Sequence, residues 1–409
     1  MKIIIVLFFA LFPVTRKWGN TLSVADYSAT GNGVTDDTNA INACLAAAHT
    51  QGKSVYFPPG VYLCNKENGS ANILLYDAGG QNNVTIYATP GTATILTTKD
   101  TATTQLYISA ASSSTNLTIS GISFSNTHGK ISFITDAIFL AGGSGQNLNN
   151  VLITKCVFNG YSQAIAGQGV NGWPIIGNTF GSPKGHDNGL QNTNPCVDIW
   201  LFDNSNGYCT NVDIELNTAS GFTGTIPMSC KRPLDGFVYG TGYGITIMGN
   251  NTTYFSQEHI LLQPFGTNHD TTAKTLIQGN TLDCSLPPGC IDDNGSPHKI
   301  NYGIRSDIPN STIVSNTIKN WTWGIMVYAP SYPTLFLKNY EIAANKLTAA
   351  SATDTTYSIQ QGIIIQGSSN PITGAKVHDN NCFNRDTAYI QFISTTSPQN
   401  INNKYSPAN

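Results

Sequence analysis

The chain has 409 residues, enough for two or three average domains or for one long solenoid or barrel. Charged residues make up only 11% and glycine numbers 39, a composition for short strands and many turns, not for long surface helices, so an all-β class is expected. A formal charge of -3 gives no basic footprint for nucleic acid, and no Lys/Arg-rich run suits a membrane surface, so neither is an expected partner.

The chain opens MKIIIVLFFALFPV, with Lys2 ahead of a short apolar run. That order reads as a secretory signal over residues 1–19, with an uncertain cleavage site, and the run is too short to span a bilayer as a helix. The mature protein is then expected to be extracellular, with no membrane association. Nine cysteines fit an oxidising compartment, and their spacings are not those of a zinc site. Disulfides are expected, with Cys44 and Cys64 placed to staple the first strand; the odd total leaves one thiol over. Asn-x-Ser/Thr sequons stand at Asn68, Asn83, Asn116, Asn250, Asn251, Asn294, Asn310 and Asn320.

Residues 27–63 are expected to cap the molecule. Asp36 can cap a helix running to about His49, with Ala40, Ile41, Cys44, Leu45 and Ala48 on one apolar stripe. A strand at 54–57 and a Pro58-Pro59-Gly60 corner follow. Within this stretch GNGVTDDTxAI and VYFPPGVY resemble the N-terminal signature of the rhamnogalacturonase and epimerase-like branch of the pectate lyase superfamily. The resemblance implies a right-handed parallel β-helix and a carbohydrate-active protein, since the group holds polysaccharide lyases, glycoside hydrolases, uronan epimerases and tailspike depolymerases. Asp36 and Asp37 are read as cap and turn residues, not catalysts.

Further along, a short motif recurs at intervals of about 30 residues. Examples are ISGISF at 119–124, IIGNTF at 175–180, IQGNTL at 277–282 and VHDNNC at 377–382. Their fourth positions, with those of the intervening segments, are Ile122, Cys156, Asn178, Asn217, Asn250, Asn280, Asn316, Asn345 and Asn380. Asparagine tolerates a left-handed backbone, so these are read as a ladder of bends, one per coil. A second column, including DAIFL, VDIWLF, YGIRSD and WGIMVY, supplies another strand to each coil. Two strand columns at this period describe one parallel β-helix domain over residues 20–409.

In that second column Ile138, Ile165, Ile199, Phe237, Ile260, Ile304, Ile325 and Ile363 are aligned as inward, which turns their neighbours outward. The middle coils then present Asp198, Trp200 and Asp203, then Asp235, His259, Arg305, Asp307 and Tyr328. Acids one or two coils apart fall at the carboxylate separations that glycosidases use, so Asp198 with Asp235 or Asp307 is the first choice for hydrolysis of glycosidic bonds in a polysaccharide. Trp200, Tyr239 and Tyr328 can stack sugar rings, with Asp203 and Lys231 as further binding residues. A lyase or epimerase acting on a uronate polymer is the alternative; it needs a cation beside the uronate and a base, which Arg305, Lys231, Arg232 and His259 supply, with Ca²⁺ as the one cofactor in prospect. A non-catalytic glycan-binding or adhesin β-helix is the third reading. The low charge favours hydrolysis over uronate chemistry. The polygalacturonase motifs Asn-Thr-Asp, Gly-His-Gly and Arg-Ile-Lys and the Asp-Pro-His of alginate epimerases are missing, so the resemblance assigns no catalytic residue.

Overall fold

A computed structural model describes residues 20–65, 72–98, 104–127, 136–181, 197–204, 207–221, 236–255, 258–263, 272–285, 302–328, 338–349, 361–367, 371–383, 390–393 and 395–406. The leader expected at 1–19 lies outside these residues. Each coil contributes one strand to each of three long sheets, here called A, B and C, of 14, 13 and 11 strands. The chain runs from A through a tight bend to B, crosses to C and returns to A. Strands of successive coils pair in parallel, from Thr21–Ser23 in sheet A to Lys404–Ser406 in sheet B. The recurring six-residue motif is therefore two strands joined by a bend, so each coil has three strands where the sequence suggested two.

Inward side chains form ladders. In sheet A, Ile119, Ile153, Ile175, Ile214, Ile247, Ile277, Ile313, Ile342 and Val377 align on neighbouring strands, all fully buried. In sheet B, Phe124, Phe158 and Phe180 stack at 5.4 and 5.0 Å between ring centres. Each such aliphatic or aromatic side chain contributes about 1.5–3 kcal/mol by leaving water.

The bends differ from expectation in an informative way. The left-handed residue is the one before each asparagine: Gly177, Leu216, Gly249, Gly279, Ser315, Ala344 and Asp379 all have positive φ. The asparagines themselves are buried and bonded to one another. Asn280, for example, donates Nδ2–H to the Asn316 Oδ1 and to the Ile247 carbonyl, both at 2.9 Å, and its Oδ1 accepts from the Asn250 N–H at 3.0 Å. The same pattern runs from Asn178 to Asn403. A buried bend leaves peptide groups without sheet partners, and a primary amide with two donors and an acceptor satisfies them.

The helix α1 (Thr38–Gln51) buries Ile41, Cys44, Leu45 and Ala48, with Ala40 half-buried, as the apolar stripe predicts. It also closes the open edge of sheet C: Asn42 bonds the Ile73 carbonyl and the Leu75 N–H, each at 2.8 Å, and His49 Nδ1 lies 2.8 Å from the Asp77 carbonyl. An unpaired edge is thereby covered. The N-cap position falls on Asp37, one residue later than expected, and Asp37 makes no side-chain cap bond. It accepts the N–H groups of Thr30 and Gly31, while Asp36 accepts the Thr38 N–H, so both acids serve the turn that starts the helix. The expected Cys44–Cys64 staple does not form: both are buried free thiols, and burial raises both pKa values, that of Cys44 to about 12. Helix packing does the stapling instead.

Candidate functional site

The outer face of sheet C is the part of the surface where chemistry-bearing side chains line up. One outward column takes a residue from each of nine successive coils: Tyr107, Phe139, Ala166, Trp200, Tyr239, Leu261, Arg305, Met326 and Ile364. Alternation makes them face away from the aliphatic interior, and Ala166, Trp200, Phe139, Phe202 and Tyr239 form an apolar cluster separate from the main core. Tyr107 and Phe139 stack with rings nearly parallel at 5.6 Å, Phe139 meets Phe202 at 5.8 Å, and Trp200 lies on Phe202 at 3.7 Å. Tyr239 then meets Trp200 edge-on at 6.5 Å. Trp200 is 9% exposed and the other four rings are half-buried. The result is a strip of rings over five successive coils, with Phe202 bridging the coil that contributes Ala166.

At the end of the strip the character changes from aromatic to ionic. Arg305 donates from Nε and Nη2 to the Asp307 Oδ2 at 3.0 and 2.9 Å, and the Tyr328 N–H donates to Oδ1 at 3.0 Å. The Arg305 guanidinium also sits 5.4 Å from the centre of the Tyr328 ring. Asp307 is 1% exposed, and burial carries its pKa up to about 6 even with the guanidinium beside it. The Arg305 side chain, 18% exposed, remains within reach of solvent. Charge-assisted bonds of this kind hold both groups in fixed orientation.

Two residues assigned to this face from the sequence are not on it. Asp198 is 3% exposed, its Oδ2 has no hydrogen-bond partner among the described residues, and burial pushes its pKa well up. His259 is fully buried, hydrogen-bonded through Nδ1 to the Thr252 hydroxyl and edge-on to Phe255 at 5.1 Å; burial drives its pKa down to about 3. Both occupy the position just before the inward isoleucine, which sequence alternation assigns to the outside. In neighbouring coils that position is inward: a Cβ added at Gly303 would stand 2.4 Å from the Ile318 Cγ2, and one at Gly324 3.2 Å from the Leu347 Cδ2. Where the chain enters sheet C two successive residues are buried, so strict alternation fails. The signal for this was present, since Ala137, Ala164, Gly303, Gly324 and Gly362 keep the position small.

The register expected at Phe237 is one residue off. Val238 pairs with Ile199 and Ile260, while Phe237 packs inward on Phe180 at 5.8 Å. Of the remaining candidates, Trp200 and Tyr239 stand together on the outer strip and Arg305, Asp307 and Tyr328 form one cluster. Asp235, Lys231 and Arg232 lie outside the described residues, as does the side chain of Asp203. Two strip residues, Tyr107 and Phe139, were passed over because the sequence concentrates charge in later coils. Asp136 was also missed: it accepts from the Thr104 hydroxyl at 3.1 Å, and burial raises its pKa to about 7. Among the described residues no cluster of His, Cys, Asp and Glu could hold a metal ion.

Residues 21–194 match the family described as rhamnogalacturonase A/epimerase, pectate lyase-like. No curated protein matches the sequence. Among solved structures, the surface adhesin PfbA of Streptococcus pneumoniae superposes with a TM-score of 0.65 at 17% identity, covering 95% of this chain and 91% of the adhesin. The tailspike protein of E. coli bacteriophage HK620, solved as a mutant with a pentasaccharide, gives a TM-score of 0.52 at 11% identity, covering 94% of this chain and 66% of the tailspike. At these identities the likeness is one of fold. The pectate-lyase-like resemblance and the all-β solenoid read from the sequence both hold.

Proposed function

We propose that this pectate-lyase-like β-helix is an extracellular carbohydrate-active protein that lays a polysaccharide across the outer face of sheet C. The strip of rings from Tyr107 to Tyr239 carries the reading. Sugars present apolar C–H faces that pack on aromatic rings, and their hydroxyls find partners in polar groups at the rim. Gln263, Arg305 and Tyr328 supply such groups at the ionic end. Among the described residues no helix is long and apolar enough to cross a membrane.

Cleavage of glycosidic bonds is a second reading, favoured by one residue. Asp307, with a pKa of about 6, is suited to give or take a proton near neutrality. A hydrolase needs a second carboxylate roughly 5–9.5 Å away. Asp198 faces inward and does not supply it, which leaves Asp235 as the sequence-derived partner. Elimination is less favoured, because the Arg305 fork that would neutralise a uronate is engaged by Asp307.

The test is calorimetric binding to a panel of neutral and acidic polysaccharides, with reducing ends and the ultraviolet absorbance of unsaturated uronates followed in parallel. Tyr239→Ala and Phe139→Ala should each weaken binding about 2- to 10-fold, the worth of one ring contact. Undiminished affinity in both variants would remove the strip as the binding surface. If the protein cleaves, Asp307→Asn should abolish turnover and largely spare binding; unchanged turnover would dismiss Asp307.

A further inference from the structure

A second concavity lies on the outer surface of sheet A. It encloses about 530 Å³ and is lined by Lys274, Lys338 and Lys376 together with Thr272, Thr312 and Asn339. Its shape comes from the backbone. Asn310, Asn339 and Gly374 have φ of 55°, 60° and 66° on three successive coils, bending the chain just before the strands Ser311–Val314, Glu341–Ala343 and Lys376–His378. These bends are pinned: Asn310 N–H donates to the Lys338 carbonyl at 2.9 Å, Asn339 N–H to the Thr373 carbonyl at 3.0 Å, and Asn339 Nδ2–H to Asn310 Oδ1 at 2.9 Å. The hollow is therefore part of the coil stack.

Its charge is net positive: among the described lining residues three lysines stand against one acid, Glu341, which is paired across the strands with Lys376. Among the described residues, none of the three lysine ammonium groups lies within ion-pair distance of a carboxylate. Glu341 lies 3.3 Å from His378 Nε2. A chain with a net charge of -3 and only 20 Lys and Arg residues thus gathers three cations around one hollow. Three like charges that one carboxylate does not balance repel one another and attract an anion.

The spacing narrows the ligand. The strands following Lys274 and Lys338, and the one beginning at Lys376, are the first, third and fourth of a consecutive run in sheet A. With neighbouring strands about 4.8 Å apart, the three cations spread over roughly 14 Å along the helix axis. One small anion cannot meet all of them, whereas a polymer with negative charge on successive units can. Threonine hydroxyls and asparagine amides between the lysines suit sugar hydroxyls. Tyr340, the one ring among the described lining residues, is buried and presents no face for stacking.

We infer that this hollow on sheet A is a secondary binding site for an acidic polysaccharide, carboxylated or sulfated, separate from the strip on sheet C. Attraction there is electrostatic and is screened by salt. The inference does not depend on what the sheet C face does.

The experiment is calorimetric titration of the full chain with oligogalacturonate, with dextran sulfate and with neutral dextran, at low and raised salt. Lys274 and Lys376 are both exposed, so the double variant K274A/K376A leaves the core untouched. The wild type should bind at least one acidic probe at low salt and lose it as salt rises, and the probe that binds names the anionic group. K274A/K376A should weaken that binding at least about 10-fold, while Lys319→Ala, an exposed lysine on sheet B, leaves it unchanged. Unchanged affinity in the double lysine variant, an equal loss in Lys319→Ala, or no acidic binding by the wild type would each overturn the inference.

Discussion

Replacing Asn280 by alanine tests whether the buried amide ladder is what holds the bends. The substitution removes the side-chain acceptor of the Asn250 N–H and the donor to the Ile247 carbonyl. Other bonds survive: Asn250 Nδ2–H still reaches the Ile214 carbonyl, and Asn316 Oδ1 still accepts the backbone N–H of residue 280. The buried Asn250 N–H loses its acceptor, at a cost of about 1–3 kcal/mol, and the Ile247 carbonyl, inside the paired strand Gly242–Met248, loses its side-chain donor. Urea unfolding followed by circular dichroism gives the loss, and hydrogen exchange at the Asn250 amide localises it. Asn280→Asp separates hydrogen bonding from shape. It keeps the acceptor for Asn250 but turns carboxylate oxygens toward the Ile247 carbonyl and Asn316 Oδ1, so at neutral pH it should cost at least as much as alanine. Near pH 4, where the carboxyl can be protonated and donate, it should cost less. A loss under about 1 kcal/mol for Asn280→Ala, with the Asn250 amide still protected, would refute the reasoning.

Three further outcomes follow from buried groups. Asp136 is raised to about 7, so the folded state holds its proton more tightly than the unfolded chain does; stability from this group is present below about pH 4 and is lost as pH rises through 7. Asp136→Asn should flatten that decline in a urea-midpoint series. His259, lowered to about 3, works in the opposite sense: its contribution is full above pH 6.5 and lost as pH falls toward 3, so His259→Gln should blunt acid destabilisation over that range. Arg305→Met leaves Asp307 buried without its cation, a loss of about 3–5 kcal/mol at pH 8 that should shrink at pH 5, where the carboxyl is protonated; a pH-independent loss would point to packing instead.

Much of the scaffold was legible because it repeats. Isoleucine on one side of each bend and asparagine at its centre are enforced by every neighbouring coil, so period and register show in the residues from Ile119 to Cys382. The role of the asparagines was legible only in part, since φ belongs to the residue before them and the amide bonds join residues some 30 positions apart. The site was harder to read, because Asp198 and His259 sit where the chain enters sheet C and two consecutive residues turn inward. Polarity at such a position suggests solvent; the small residues in the neighbouring coils were the better guide. The ring strip needed register as well, since Tyr107, Phe139, Trp200 and Tyr239 are brought into line only by strand pairing.

The ladder also has a mechanical meaning. Each asparagine bonds forward to the next asparagine and backward to a carbonyl of the preceding coil, so every coil is latched to both neighbours by the same few bonds. A pull on the C-terminal end loads one latch at a time. Coils should therefore peel singly, each freeing on the order of 100 Å of chain at about 3.4 Å per residue. A protein of this build, tethered at one end and gripping a polymer, would yield in steps and absorb work at each one without releasing its hold elsewhere.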